Sequence, residues 1–224
     1  MTEDEIQERI LYRDGLILII NKPSGIPVHA GSYGGDNLEK YFHFLQFGLR
    51  NPPALAHRLD RDTSGCLVLG RNHKGLKKMG QLFSSGNVHK TYIALVAGVM
   101  PQDEGIIDLP LKKKNSKSEG WKIIASPDGQ RAVTKYKVIA SNGKISYAEC
   151  YPQTGRTHQI RVHLAENGCP LLGDMFYGKP VSGFDVEHIQ LHSRAIEFLL
   201  YPKKDIIKVE APIPETMMKI IQKI

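Results

Sequence analysis

Residues 15–23, GLILIINKP, set the first constraint on the fold. Leu16 to Ile20 are five consecutive aliphatic side chains, so the run has to be buried rather than shared with water. It is short for a core helix, and Pro23 lacks the backbone donor that continuation would need. The reading is a buried strand ending at Pro23, followed by a Gly/Pro turn. A buried strand needs partners. Further runs supply them: CLVLG (66–70), KTYIALVAG (90–98), AVTKYKVIA (132–140), KISYAECY (144–151), HSRAIEFLL (192–200) and DIIKVEAP (205–212). The SNG between the 132–140 and 144–151 runs predicts a hairpin turn. YPKK does the same for the last two runs.

Helical spacing appears in fewer places. DNLEKYFHFLQFGL (36–49) offers Asp36 as an N-cap, with Leu38, Tyr41, Phe42 and Leu45 on one side. In 72–87, Leu76, Met79, Leu82 and Phe83 share a face opposite Lys74, Lys77 and Lys78, and Gly86 ends the helix. GRTHQIRVHLAENG (155–168) predicts a helix with Ile160, His163, Leu164 and Asn167 on one face and Gly168 as its stop. PETMMKIIQKI closes the chain as a last helix, and LPLKKKNSKSEGW (109–121) reads as a basic, mobile loop. The sum is an α+β fold: one domain over 1–224, with a central mixed, mainly antiparallel sheet flanked by helices. There is no internal repeat, low-complexity linker or composition break.

Composition narrows the function classes. The net charge of +7 favours polyanionic partners. Three scattered cysteines, Cys66, Cys150 and Cys169, have no C-x-x-C spacing and suit neither a disulfide framework nor a zinc site. The start, MTEDEIQERI, is acidic and unlike a signal peptide, and no apolar run approaches a membrane span. The expected setting is soluble and cytoplasmic, with no membrane partner.

Four features have chemical potential. HRLDRDTSG (57–65) places Asp60 among arginines: residues 50–78 hold seven basic side chains against Asp60 and Asp62. A carboxylate there is expected to be ionised, as an ion-pair member or as a nucleophile beside a phosphate-rich substrate. Thr63, Ser64 and Gly65 allow close backbone approach, and the apolar strand behind them makes the loop rigid. TGRTHQIRVH (154–163) groups Arg156, His158, Arg161 and His163 within two helical turns, either an anion-binding face or a solvated one. Tyr92 is a core residue or an aromatic that stacks on a base. KKKNSK (112–117) serves solubility or sequence-blind phosphate contact. His158/His163 and His188/His192 do not form a zinc motif, GSYGG (31–35) lacks the Lys-Ser/Thr of a P-loop, and there is no G-x-S-x-G elbow.

Taken in order, these motifs resemble the pseudouridine synthases, in particular the RluA class of the RluA/RsuA family. N-K-P-x-G-x-P-V-H is matched at Asn21–His29, H-R-L-D-x-x-T-S-G at His57–Gly65, K-x-Y at Lys90–Tyr92 and G-R-T-H-Q-I-R-V-H at Gly155–His163. LLGDMFYG (171–178) and LHS (191–193) are similar to the family's closing segments, so the resemblance spans roughly residues 12–212. It implies a sheet with an active cleft across it and no metal or organic cofactor. It implies Asp60 as catalytic aspartate, Tyr92 packed on the target uracil, Arg161 paired with Asp60, and Leu191 in the apolar floor. His57, Arg58, Thr63, Arg156 and His158 are expected at the substrate, with Arg58 inserting where a flipped uridine leaves the stack. The family's usual aliphatic after T-S-G is Cys66 here, and the alanine after L-H is Ser193. The S4-type RNA-binding domain of many relatives is expected to be absent, because only about a dozen residues precede the first strand.

The implied reaction is isomerisation of specific uridines in structured RNA, a tRNA or large-subunit rRNA stem-loop, by a monomer. Two other readings compete with it. A non-catalytic RNA-binding or RNA-folding protein would use the same basic patches but has no need for Asp60, Tyr92 and Arg161 together. A nucleoside hydrolase wants two cooperating carboxylates, and Asp60 has no convincing second.

Overall fold

The computed structural model describes residues 1–31, 34–116 and 120–224. In chain order the elements are α1 (Glu3–Gln7), β1 (Ile10–Arg13), β2 (Ile17–Lys22), a 3-10 helix (Leu38–Leu45), β3 (Ala54–Leu55), β4 (Ser64–Gly70), α2 (His73–Ser84), β5 (Val88–Ala97), β6 (Glu104–Asp108), β7 (Leu111–Ser116), β8 (Gly120–Ala125), β9 (Val133–Ser141), β10 (Ile145–Pro152), α3 (Gln159–Glu166), β11 (Leu191–Phe198), β12 (Ile207–Glu210) and α4 (Glu215–Ile221). The fold is α+β. It forms two compact units, Met1–Lys90 with Ser193–Pro212 and Thr91–His192 with Ile213–Ile224.

In the first unit the aliphatic run forms β2, antiparallel to β1 and to β4, with Lys22 opposite Gly65. All seven residues of β4 are buried, which explains the unbroken apolar stretch in that strand. The Ser193–Phe198 part of β11 lies beside β4, and β12 pairs with β11. Ile17, Ile19, Val68, Met79, Ile196, Phe198 and Val209 form the core, with Leu82 and Phe83 of α2 against it. Asn72 caps α2 by accepting from the Gly75 N–H at 2.9 Å. Gly75 is needed because a Cβ there would lie 2.0 Å from the Leu16 carbonyl oxygen. Cys66 and Ser193 are neighbours: the Ser193 hydroxyl donates to the Cys66 carbonyl at 3.4 Å.

In the second unit β10 pairs with β5 and β9, and β9 pairs with β6, all antiparallel. Ile93, Leu95, Ile145 and Leu172 form a core capped by Met217 and Ile220 of α4. The hairpin expected at 132–151 is present as β9–β10.

Three local expectations change. Residues 38–45 form a 3-10 helix whose N-cap is Asn37, not an α-helix capped by Asp36. The basic 109–121 segment is not a loop: its described part forms β7, paired with β8, and Lys117 lies outside the described residues. Leu111 and Ile123 anchor this hairpin by burying themselves with Val162 and Ala132. The helix expected from residue 155 starts at Gln159, because His158 adopts a left-handed backbone (φ 53°) that no helix can continue through. Among the described residues no helix is long and apolar enough to cross a membrane.

Gly65 sets the approach of β4 to β11. Its φ is +104°, and a Cβ would sit 2.2 Å from the Ser193 carbonyl oxygen. Gly65→Ala is expected to destabilise the protein by roughly 2–4 kcal/mol, combining backbone strain with a rigid clash. Urea denaturation of the variant beside the wild type measures this, and a change of only a few tenths of a kcal/mol in unfolding free energy would contradict it.

Candidate functional site

Asp60 lies in a short turn immediately before β4, closed by the Thr63 N–H donating to the Asp60 carbonyl at 3.2 Å. This turn is tied to the segment after β2 by side chains at both ends. Lys22 Nζ donates to the carbonyls of Pro23 (2.8 Å) and Arg61 (2.7 Å). Ser24 Oγ donates to the Asp62 carbonyl at 2.6 Å, and Arg61 Nε donates to the Gly25 carbonyl at 3.0 Å. The two motifs N-K-P-S-G and R-L-D-R-D-T-S-G are thus one construction: the first straps down the second.

Lys22 is fully buried. Burial lowers its pKa from 10.5 to about 7, and the charges of Asp62 and Asp60 oppose that fall. A buried ammonium is costly unless acceptors surround it, and here two carbonyls do so. The sequence reading gave Lys22 and Ser24 no role, because a lysine at a strand end reads as surface.

The other expected residues of this unit take different places. His57 Nε2 accepts from the Val68 N–H at 3.0 Å, and its ring packs on Phe83 with centroids 4.8 Å apart. Burial, with the Lys90 charge, pushes the His57 pKa down to about 3, so the ring is neutral. It supports the turn from β4. Thr63 is buried, whereas Arg58 is exposed, with Nη1 3.4 Å from His29 Nε2.

In the second unit Tyr92 is buried on β5 opposite Cys150, and Leu191 is buried at the start of β11. Arg161 makes a bidentate pair with Asp174, Nε–Oδ2 at 2.8 Å and Nη2–Oδ1 at 3.0 Å. Asp174 also accepts from the N–H groups of Phe176 (3.1 Å) and Tyr177 (3.2 Å). This buried carboxylate fixes the plane of the guanidinium. Asp174 stands in LLGDMFYG, but nothing in that stretch alone assigns it to an arginine 13 positions earlier.

The basic cluster at 154–163 is not one helix face. Arg156 precedes α3, is exposed, and donates from Nε to the Arg131 carbonyl at 3.1 Å. His158 is the residue before the helix, with Nδ1 2.8 Å from the Tyr177 hydroxyl. His163 belongs to the core, with Nδ1 2.9 Å from Thr134 Oγ1 and Nε2 3.0 Å from the Leu109 carbonyl. Because a carbonyl only accepts, Nε2 bears the proton, and Nδ1 accepts from Thr134. Burial lowers the His163 pKa, consistent with a neutral ring. An apolar-face position, four residues before Asn167, was therefore the better guide to His163 than its charge.

Lys22→Met is expected to leave the Pro23 and Arg61 carbonyls without their donor, costing roughly 2–4 kcal/mol at pH 7. The pH dependence separates this from simple loss of packing. With a folded pKa below the unfolded one, the unfolded state binds more protons between about 7 and 10.5. Wild-type stability should therefore rise relative to Lys22→Met as pH increases through that window. Urea unfolding of both proteins at pH 6.5 and 9.5 tests this, and parallel pH profiles would contradict it.

Comparison with known proteins bears on what this arrangement belongs to. A family model described as RNA pseudouridylate synthase matches residues 16–166, more than half of the chain. An uncharacterized RNA pseudouridine synthase of Zymomonas mobilis is 44% identical over 211 residues, 94% of this chain and 95% of that protein. The ribosomal large subunit pseudouridine synthase C of Escherichia coli is 33% identical over 96% of this chain and 69% of its own length. The solved structure of human RNA pseudouridylate synthase domain containing 4 superposes with a TM-score of 0.81 at 25% identity, covering 99% of this chain and 94% of that one. The matched region contains the strapped Asp60 turn, Tyr92 and Arg161, and the chain belongs to the RNA pseudouridylate synthase family, whose members are isomerases.

Proposed function

We propose that Asp60 is the catalytic aspartate in the conversion of specific uridines of structured RNA to pseudouridine. The observation that supports it most is the strapping of the Asp60 turn by Lys22, Ser24 and Arg61, which holds a carboxylate rigidly inside a basic segment. The reaction breaks the N1–C1′ glycosidic bond, rotates the uracil and forms C5–C1′; C5 loses a proton and N1 gains one, so no external reagent is consumed. A carboxylate serves this chemistry by attack at C1′ or C6, or as the base that starts elimination to a glycal. Tyr92 packs on the target uracil, Arg161, held by Asp174, supplies a cation, and Leu191 contributes apolar surface. Exposed Arg156 and half-buried His158 meet the RNA.

A uridine inside a stem or loop has to leave the stack first, at a cost of a few kcal/mol that backbone contacts offset. Arg58 takes the vacated place; its exposure beside the Asp60 turn supports that role. The RNA is a tRNA or large-subunit rRNA. The ribosomal names of several curated relatives put large-subunit rRNA first for testing.

Purified protein incubated with unmodified tRNA and rRNA is expected to create pseudouridine at discrete positions, read by chemical mapping. Asp60→Asn should retain RNA binding and lose turnover by roughly a thousandfold or more. Near-wild-type turnover would remove Asp60 from this role. Arg58→Ala should weaken RNA affinity, turnover or both, and unchanged values for each would refute the insertion.

A further inference from the structure

The described hairpin β7–β8 and the loop after α3 bring together an unusual set of side chains. Trp121 and Phe176 are 44% and 43% exposed, with ring centroids 6.3 Å apart. Trp121 lies 5.2 Å from the His158 ring at an interplanar angle of 36°, and His158 meets the edge of Phe176 at 6.1 Å. Tyr177 supports the group from beneath, with its hydroxyl accepting from the Ile123 N–H at 3.2 Å and its ring edge-on to Phe176 at 5.0 Å. Cations flank the rings: Lys113 Nζ is 5.2 Å from the Trp121 centroid, and Lys122 Nζ is 5.7 Å from that of Phe176.

A large aromatic on a small hairpin is usually turned inward, where its area contributes most. Leu111 and Ile123 of the same hairpin are buried that way. Trp121 and Phe176 instead stay partly exposed, with lysine ammoniums over their rings. Residues 111–125 contain five lysines (112, 113, 114, 117 and 122) and one acid, Glu119, a net charge of +4 by subtraction. Lys112 pairs with Asp128. Exposed rings interleaved with fixed positive charge match an unpaired nucleotide strand, in which every base offers a π-face and every linkage a negative charge.

We propose that the Trp121–Phe176 face is a stacking platform for unpaired nucleotides of the RNA substrate, with Lys113 and Lys122 contacting its phosphates. The proposal rests on the RNA reading above but assigns work to residues to which that reading gives none. It predicts recognition of a single-stranded segment accompanying the target uridine, with tolerance of base identity.

The chain contains one tryptophan, so its emission reports on position 121 alone. The native protein would be titrated with oligocytidylate, which has no uridine to isomerise, and with an abasic phosphodiester oligomer of equal length. Binding would be followed in parallel by anisotropy of a labelled oligomer. Oligocytidylate should quench Trp121 and the abasic oligomer should not. Phe176→Ala, a substitution at an exposed site, should weaken oligocytidylate binding by about tenfold. Binding with no quench, equal quench by the abasic oligomer, or unchanged affinity in Phe176→Ala would overturn the platform alone. Quenching by anionic vesicles but not by RNA would assign the face to a membrane and overturn it too. No binding of any RNA by anisotropy would overturn the platform together with the RNA reading.

Discussion

The first unit depends on a buried lysine amine. Lys22 sits fully buried at the end of the most apolar strand and directs its amine at the carbonyls of Pro23 and Arg61. The Arg61 carbonyl is 39 residues from Lys22 in sequence, so the amine ties together two distant chain segments. Removing an ion from water is tolerable only where polar groups replace the hydration shell. The lysine is therefore as much held by the turn as holding it, and the turn bearing Asp60 cannot drift without leaving the buried amine and its two acceptor carbonyls unsatisfied. β4 adds rigidity from behind, because its side chains are all buried and Gly65 admits the Ser193 backbone to contact distance.

The second unit solves a related problem with carboxylates and amides in place of an ammonium. Asp174 gathers the Arg161 guanidinium and two backbone N–H groups. Gln159 donates to Thr134 Oγ1, Thr134 donates to His163, and His163 donates to the Leu109 carbonyl. This chain of donors fixes one imidazole tautomer and seats α3 on β9. The left-handed His158 then starts the helix abruptly and leaves its ring beside Tyr177. The motif that looked like a run of positive charge is mostly a set of hydrogen-bonding parts.

Much of the fold was legible. Apolar runs bounded by Pro, Gly and Asn marked β2, β4, β5 and the β9–β10 and β11–β12 pairs, because burial on a sheet leaves a local signature. The β7–β8 hairpin left little: its lysines face water, and only Leu111 and Ile123 disclose an inner side. The start of α3 was hidden for another reason. A positive φ at a given histidine is set mainly by tertiary contacts, which the local sequence does not reveal. At the site, Asp60, Tyr92 and Arg161 were named through ordered motifs that are individually weak. Lys22, Ser24 and Asp174 were not, since their partners are backbone groups or distant in sequence, and such pairings have no spacing to detect.

The three cysteines have a further meaning. Burial pushes the Cys66 and Cys150 thiols up to about 12 and raises that of Cys169 as well. At neutral pH almost none of their sulfur is thiolate, the form that reacts with alkylating or oxidising agents. Each thiol becomes reactive only when the structure around it opens. Cys66 lies in the first unit, and Cys150 and Cys169 lie in the second. The chain thus contains its own clock of local opening, one hand for each unit, and oxidative damage to it would begin as a consequence of unfolding and not as its cause.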